Sequence, residues 1–186
     1  AEKIYVSKNI DLLTKMKFPE NTYDFKKNRV LLSHLDIELP LVKFDAMLAK
    51  YLISTTEDNK ISTIARLFNS GHLATDEEVF GKGTKIALPD DAVLFEHLAR
   101  KIKVLALAKE KMMAELLENE QEHLLADMEL PLAEVLAKME ITGIAVSQNT
   151  LEEIGAENEE KLASLTREIY DLAGEEFNIN SPMQLK

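Results

Sequence analysis

The chain has 186 residues, 46% of them hydrophobic and 30% charged, which suits one domain or a domain with a helical annex. It carries 33 acidic against 22 basic residues, a net charge of −11, and no cysteine. A disulfide scaffold and a Cys-ligated zinc site are therefore excluded, and no apolar run approaches the roughly 18 residues of a membrane span. The charge is uneven: residues 1–50 sum to +2, residues 51–110 to −1, and residues 111–186 to −12. Phosphate contacts need clustered Lys and Arg, so this balance argues against nucleic-acid binding by the chain alone and reads as a solvated acidic surface. A soluble, intracellular, bacterial-type protein is expected.

Ile4-Tyr5-Val6-Ser7 has the β-branched and aromatic bias of a short strand. Asn9 can cap a helix that carries Ile10, Leu12, Leu13 and Met16 and is stopped by Pro19. Thr22-Tyr23 reads as a second strand, and Asp24 begins a helix, with Phe25, Val30, Leu31, Leu32 and Leu35, that stops near Asp36. Phe44 leads into a helix with Met47, Leu48, Tyr51 and Leu52, and Ile61 to Phe68 forms another. Alternating strand and helix points to an α/β layer whose interior includes Val30, Leu31, Leu48, Leu52, Ile64 and Leu67.

From Asn69 to Pro89 the chain reads as a loop. Within it, Gly81-Lys82-Gly83-Thr84-Lys85 has the texture of a phosphate loop but lacks the spacing and the preceding strand of the Walker pattern. Val93 to Met128 is a long helical stretch of Ala, Leu, Met, Glu and Lys. Pro131 suits the first turn of a new helix bearing Leu132, Val135, Leu136 and Met139 and ending at Gly143. Asn149 and Glu152 have capping-box spacing, and Leu151, Ile154, Leu162, Leu165, Ile169 and Leu172 follow helical spacing to a C-cap at Gly174. The glutamates of this last helix read as its wet face.

Local chemistry is sparse. The histidines at 34, 72, 97 and 123 share no ligand spacing, and no G-x-S-x-G turn occurs. The residues alone give an α/β domain with a helical extension.

Longer strings carry more. Asp127 to Ile144 (DMELPLAEVLAKMEITGI) resembles a segment of bacterial family A DNA polymerases, the DNA polymerase I type, of general form E-x-P-L-x-x-V-L-A-x-M-E-x-x-G-I. Ile169 to Gly174 (IYDLAG) followed by Phe177 to Leu185 (FNINSPMQL) is similar to the start of the thumb in that family. Phe44 to Ala49 (FDAMLA) and Asp76 to Gly83 (DEEVFGKG) resemble its exonuclease-like region. The resemblance covers nearly the whole chain and implies a partial ribonuclease H-like (3′–5′ exonuclease-like) α/β domain, residues 1–110, whose first strands are missing. Residues 111–186 would then be a helical connection and the base of the thumb. The D-x-E exonuclease motif would precede Ala1 and the palm carboxylates would follow Lys186.

The resemblance also implies a lost chemistry. Proofreading members hold two divalent metals on four carboxylates. The second motif, N-L-K-Y-D, reads here Asp24-Phe25-Lys26-Lys27-Asn28, with Asn28 at the metal-binding Asp. The third, Y-x-x-x-D, spans Lys101 to Leu105, with Lys101 for the Tyr and Leu105 for the Asp. Leucine offers no ligand, and Lys101 and Lys103 bring positive charge. No catalytic or metal-binding residue is expected; Asp24 and Asp45 are the neighbours from which a metal site could be rebuilt, and Asp45 reads better as a structural cap. The expected role is a vestigial proofreading domain acting as a scaffold. The parent would carry out template-directed DNA synthesis in replication and repair with magnesium held elsewhere. The alternatives are an active metal-dependent 3′–5′ exonuclease with altered ligands and an unrelated acidic interaction module. Expected partners are primer-template DNA, contacted through Asn178, Asn180, Ser181 and Gln184, and the remainder of the polymerase chain, in the cytoplasm near the nucleoid and not at a membrane.

Overall fold

A computed structural model describes residues 3–184; Ala1, Glu2, Leu185 and Lys186, the third of which closes the thumb-like string, lie outside the described residues. The chain divides into two compact units, Ala1–Thr142 and Gly143–Lys186.

The first unit is built on a minimal parallel sheet. Strands β1 (Asn21–Thr22) and β2 (Phe44–Asp45) pair with Asn21 opposite Phe44 and Thr22 opposite Asp45. Helix α1 (Phe25–Ser33) follows β1, and α2 (Ala46–Ile53) follows β2 directly. Next come α3 (Ile61–Leu67), α4 (Asp76–Phe80), the long α5 (Asp91–Glu118) and α6 (Leu130–Thr142). Helix α5 forms the spine: Val104, Ala108, Met112 and Leu116 recur every fourth residue and are buried against α2 and α3. Helix α1 lies on α6, where Ala133 and Ala137 are buried small residues that permit close approach. Arg29, only 7% exposed, bolts this pair: its guanidinium donates to the Leu39 carbonyl at 2.8 Å and to Glu38 at 3.2 Å, and lies 3.5 Å from Glu134 on α6.

Several expectations change. Ile4-Tyr5-Val6 is not a strand; two parallel strands form the sheet among the described residues, and a β-prone run with no neighbour to receive its N–H groups does not pair. Asn9 does cap, but a single 3₁₀ turn, Ile10–Leu12. The loop from Asn69 to Pro89 contains α4, begun by a capping box in which Thr75 and Glu78 serve each other's backbone. The long helix ends at Glu118, where Glu120 takes a left-handed φ of 55°. Pro131 falls in the first turn of α6, as expected, but that helix does not start afresh. It lies in a continuous helical stretch in which Leu124–Glu129 widens to a π turn, so that Leu130 N–H reaches the Leu125 carbonyl, and the wider turn makes room for the proline ring. Leu31 and Leu67, expected inside, are 54% and 39% exposed, whereas Ile64 is fully buried.

The second unit is α7 (Gln148–Ala173) and a C-terminal turn. Ser147, rather than Asn149, caps the helix by accepting from Thr150 N–H, and Gly174 at φ 75° ends it. Leu151, Ile154, Leu162, Leu165 and Leu172 are all more than half or about half exposed along α7. The Tyr170 hydroxyl donates to the Phe177 carbonyl at 2.9 Å, and the two rings meet edge to face, which ties the turn to the helix.

Candidate functional site

One cleft of the first unit holds Lys101, one of the three positions that would carry exonuclease chemistry; Asn28 and Leu105 do not line it. Its walls come from Tyr23 just after β1, the start of α3 with Ile61, the start of α4 with Thr75 and Asp76, and α5 with Lys101, enclosing about 100 Å³. The Thr75 capping box sets Asp76 as the first residue of α4. His97 and Lys101 stand one turn apart on α5 and both reach Asp76 Oδ1, His97 Nε2 at 2.8 Å and Lys101 Nζ at 2.5 Å. His97 is 4% exposed and packs edge to face on Phe80 with centroids 5.7 Å apart. Burial pushes the Asp76 carboxyl up, but the Lys101 and His97 bonds together hold it below the ordinary value.

Tyr23 forms the floor of the cleft. Its hydroxyl donates to the Asn59 carbonyl at 2.9 Å. Burial, reinforced by the charges of Asp24, Asp45, Asp76 and Asp58, pushes it up to about 12. Asn28, on α1, turns its amide nitrogen to the Tyr23 carbonyl at 2.9 Å and to Thr22 Oγ1 at 3.0 Å. The Tyr23 carbonyl requires a donor: a carboxylate at position 28 would have nothing to give it and could only accept from the Thr22 hydroxyl. Leu105 packs against the hydrophobic core.

Asp45 performs another task. Only 1% exposed, it accepts four backbone N–H groups: Asp24 at 3.1 Å, Phe25 at 2.5 Å, Met47 at 2.8 Å and Leu48 at 3.3 Å. One carboxylate thereby caps α2 and fixes the start of α1, where Asp24 adopts a left-handed φ of 60°. Burial pushes the Asp45 carboxyl above its ordinary value, against the opposing pull of the four N–H donors.

These residues do not suit a divalent cation. Position 28 offers an uncharged amide in place of a carboxylate, position 105 is apolar, position 101 is an ammonium, and Asp45 has its oxygens committed to the backbone. Among the described residues no group of three or more His, Asp or Glu gathers as a metal cluster, and no helix is long and apolar enough to cross a membrane.

Asn178, Asn180, Ser181 and Gln184 share one turn of the second unit. Asn178 N–H donates to Gln184 Oε1 at 2.7 Å, Asn180 N–H to Asn178 Oδ1 at 3.0 Å, and Ser181 N–H to the Asn178 carbonyl at 2.9 Å. The acceptor oxygens of Asn178 and Gln184 thus shape the turn, and Asn178, Asn180 and Gln184 are exposed residues. Sequence reading missed Asp76, His97 and Tyr23 as a group. The Thr75-x-x-Glu78 capping box was the available signal for α4; the approach of α5 to it had none.

The family model "DNA polymerase I, ribonuclease H-like domain" matches residues 3–108. The chain is 98% identical over 185 residues to the DNA polymerase I of Lactococcus lactis subsp. lactis (strain IL1403), covering all of this chain and 21% of that protein. It is 49% identical over 192 residues to the DNA polymerase I of Streptococcus pneumoniae serotype 4, covering 22% of it, and 44% identical over 164 residues to that of Geobacillus stearothermophilus, covering 88% of this chain and 19% of the relative. The chain therefore spans about a fifth of the length of these relatives. Among solved structures, the POL domain of Pol1 from M. smegmatis in complex with DNA primer-template and dNTP matches 90% of this chain and 26% of its own, with a TM-score of 0.65 and 27% identity.

Proposed function

Since the chain belongs to the family of the ribonuclease H-like domain of DNA polymerase I, we propose that it serves as a scaffold whose proofreading site is vestigial. The observation that carries this reading is the Lys101 ammonium seated on Asp76 where the family form has a water-orienting Tyr; Asn28, elsewhere on α1, gives its amide nitrogen to the Tyr23 carbonyl and the Thr22 hydroxyl. An exonuclease needs concentrated negative charge to hold two metals. This cleft is neutralised from within.

In this reading residues 1–110 form the exonuclease-like body and residues 111–186 the connection into the polymerase. The parent performs template-directed transfer of deoxynucleotides with magnesium bound outside this chain, in the bacterial cytoplasm at the nucleoid. Primer-template DNA meets the present residues at the turn bearing Asn178, Asn180, Ser181 and Gln184, whose backbone and amide groups suit duplex phosphates. Relatives named DNA polymerase I and the DNA-bound polymerase neighbour support this assignment.

The test uses the intact parent and a 3′-labelled single strand in magnesium and in manganese. Polymerisation without trimming is expected. Trimming that survives palm inactivation and is lost on changing Asp24 or Asn28 would establish the alternative, an active exonuclease with altered ligands. Replacing Asn180 and Gln184 with Ala is expected to weaken duplex affinity, and unchanged affinity would remove this turn from the DNA interface.

A further inference from the structure

The disagreement between the cleft and a divalent cation has a structural counterpart. Lys101 is a mostly buried lysine, its side chain 18% exposed, and its ammonium and His97 share one oxygen of Asp76. Asp76 is the first residue of a five-residue helix, α4, which is too short to persist without tertiary support. His97 adds the edge-to-face contact with Phe80 at the other end of that helix. The neighbouring cation, Lys60, is occupied outside the clasp, 3.5 Å from Asp58 and 3.8 Å from Glu77. We infer that Lys101 is an internal counter-ion that takes the place of a bound cation in this cleft, clasping α4 to α5 through Asp76 and making the domain's stability independent of divalent metal. The inference rests on the scaffold reading above and gives it a positive device: the site is closed by an ammonium as well as deprived of ligands. The acidic surroundings of Tyr23 fit this assignment, since they leave the floor of the cleft in need of a positive charge.

The experiment measures urea midpoints of the 186-residue chain in EDTA and in millimolar Mg²⁺ or Mn²⁺ for the wild type, Lys101→Met, Asp76→Asn and the double variant. The wild-type midpoint is expected to be the same in all three media. Each single variant lowers it, and the double variant lies no lower than the worse single one, because both remove the same pair. Amide exchange in α4 is expected to rise about tenfold in Lys101→Met and to return towards wild type in Lys101→Arg, a readout that stays available if the midpoints move little. A wild-type midpoint raised by Mn²⁺, additive effects of the two single changes, or α4 exchange unmoved by Lys101→Met would each overturn the inference. DNA trimming by the intact parent would instead strike the scaffold reading, so the two failures are distinguishable.

Discussion

Replacing Asp45 tests how much of the fold hangs on one carboxylate. Asp45→Ala releases four N–H groups, two on α2 and two at the entrance to α1. A helix cap contributes typically about 1 kcal/mol, and two helix starts are affected. Phe25 is fully buried, so its orphaned N–H adds about 1–2 kcal/mol of uncompensated desolvation. The expected loss is about 3–4 kcal/mol, which at a urea slope of about 2 kcal/mol per molar lowers the midpoint by about 1.5–2 M. Asp45→Asn keeps a carbonyl oxygen for the three donors on Oδ1 and turns an amide nitrogen against Phe25 N–H, so it should cost about half as much. Far-ultraviolet circular dichroism along a urea series measures both. An Ala midpoint within about 0.5 M of wild type, or an Asn variant as weak as Ala, would refute the double-capping argument.

Lys50 is wholly buried with its ammonium donating to the Ser54 and Glu57 carbonyls at 2.7 and 2.9 Å; Lys50→Met should destabilise by about 2 kcal/mol in the same urea assay because both carbonyls lose their partner. Gly81 has a φ of 85°, and an added Cβ would lie 2.5 Å from the Lys85 carbonyl oxygen, so Gly81→Ala should lower Tm by about 5 °C in calorimetry. Acid should act oppositely on two carboxylates. Asp76, held low, contributes stability that is complete above its ordinary value of 3.8 and lost as pH falls through its depressed folded value; the midpoint gap between wild type and Asp76→Asn should close on acidification. Asp45, pushed up, contributes stability that is complete below 3.8 and diminishes as pH rises through its raised value, so the gap to Asp45→Asn should be widest at the acid end.

The Val104 to Leu116 stripe emerges only in the structure, whereas the helical character of the stretch that holds α5, the Gly174 stop and the Asn9 cap were legible from local rules. The corner after α5 was not, because a non-glycine residue, Glu120, makes the left-handed step there with neither Gly nor Pro nearby to announce it. The shift of the α7 cap from Asn149 to Ser147 has a similar cause: both residues can cap, and only the direction of the arriving chain chooses between them. Positions 28, 101 and 105 could be singled out from a family pattern. What Lys101 does could not, since Asp76 lies 25 positions away and meets it only once α4 and α5 have packed. Leu31 and Leu67 were misplaced because apolar character does not say which side of a short helix meets the core.

The π turn at Leu124–Glu129 holds one residue more than an α-helix would use over the same rise, and that surplus sets the rotational phase of everything after it. Deleting a single residue there would turn α6 by about 100°. Ala133 and Ala137, now against α1, would swing aside, and larger side chains would arrive at a contact sized for methyl groups. Substitution at the exposed positions of this stretch leaves that phase alone, though Leu125 is held in the core, while any change in its length scrambles the α1–α6 interface, so insertions and deletions should collect outside residues 124–129 in functional descendants of this sequence.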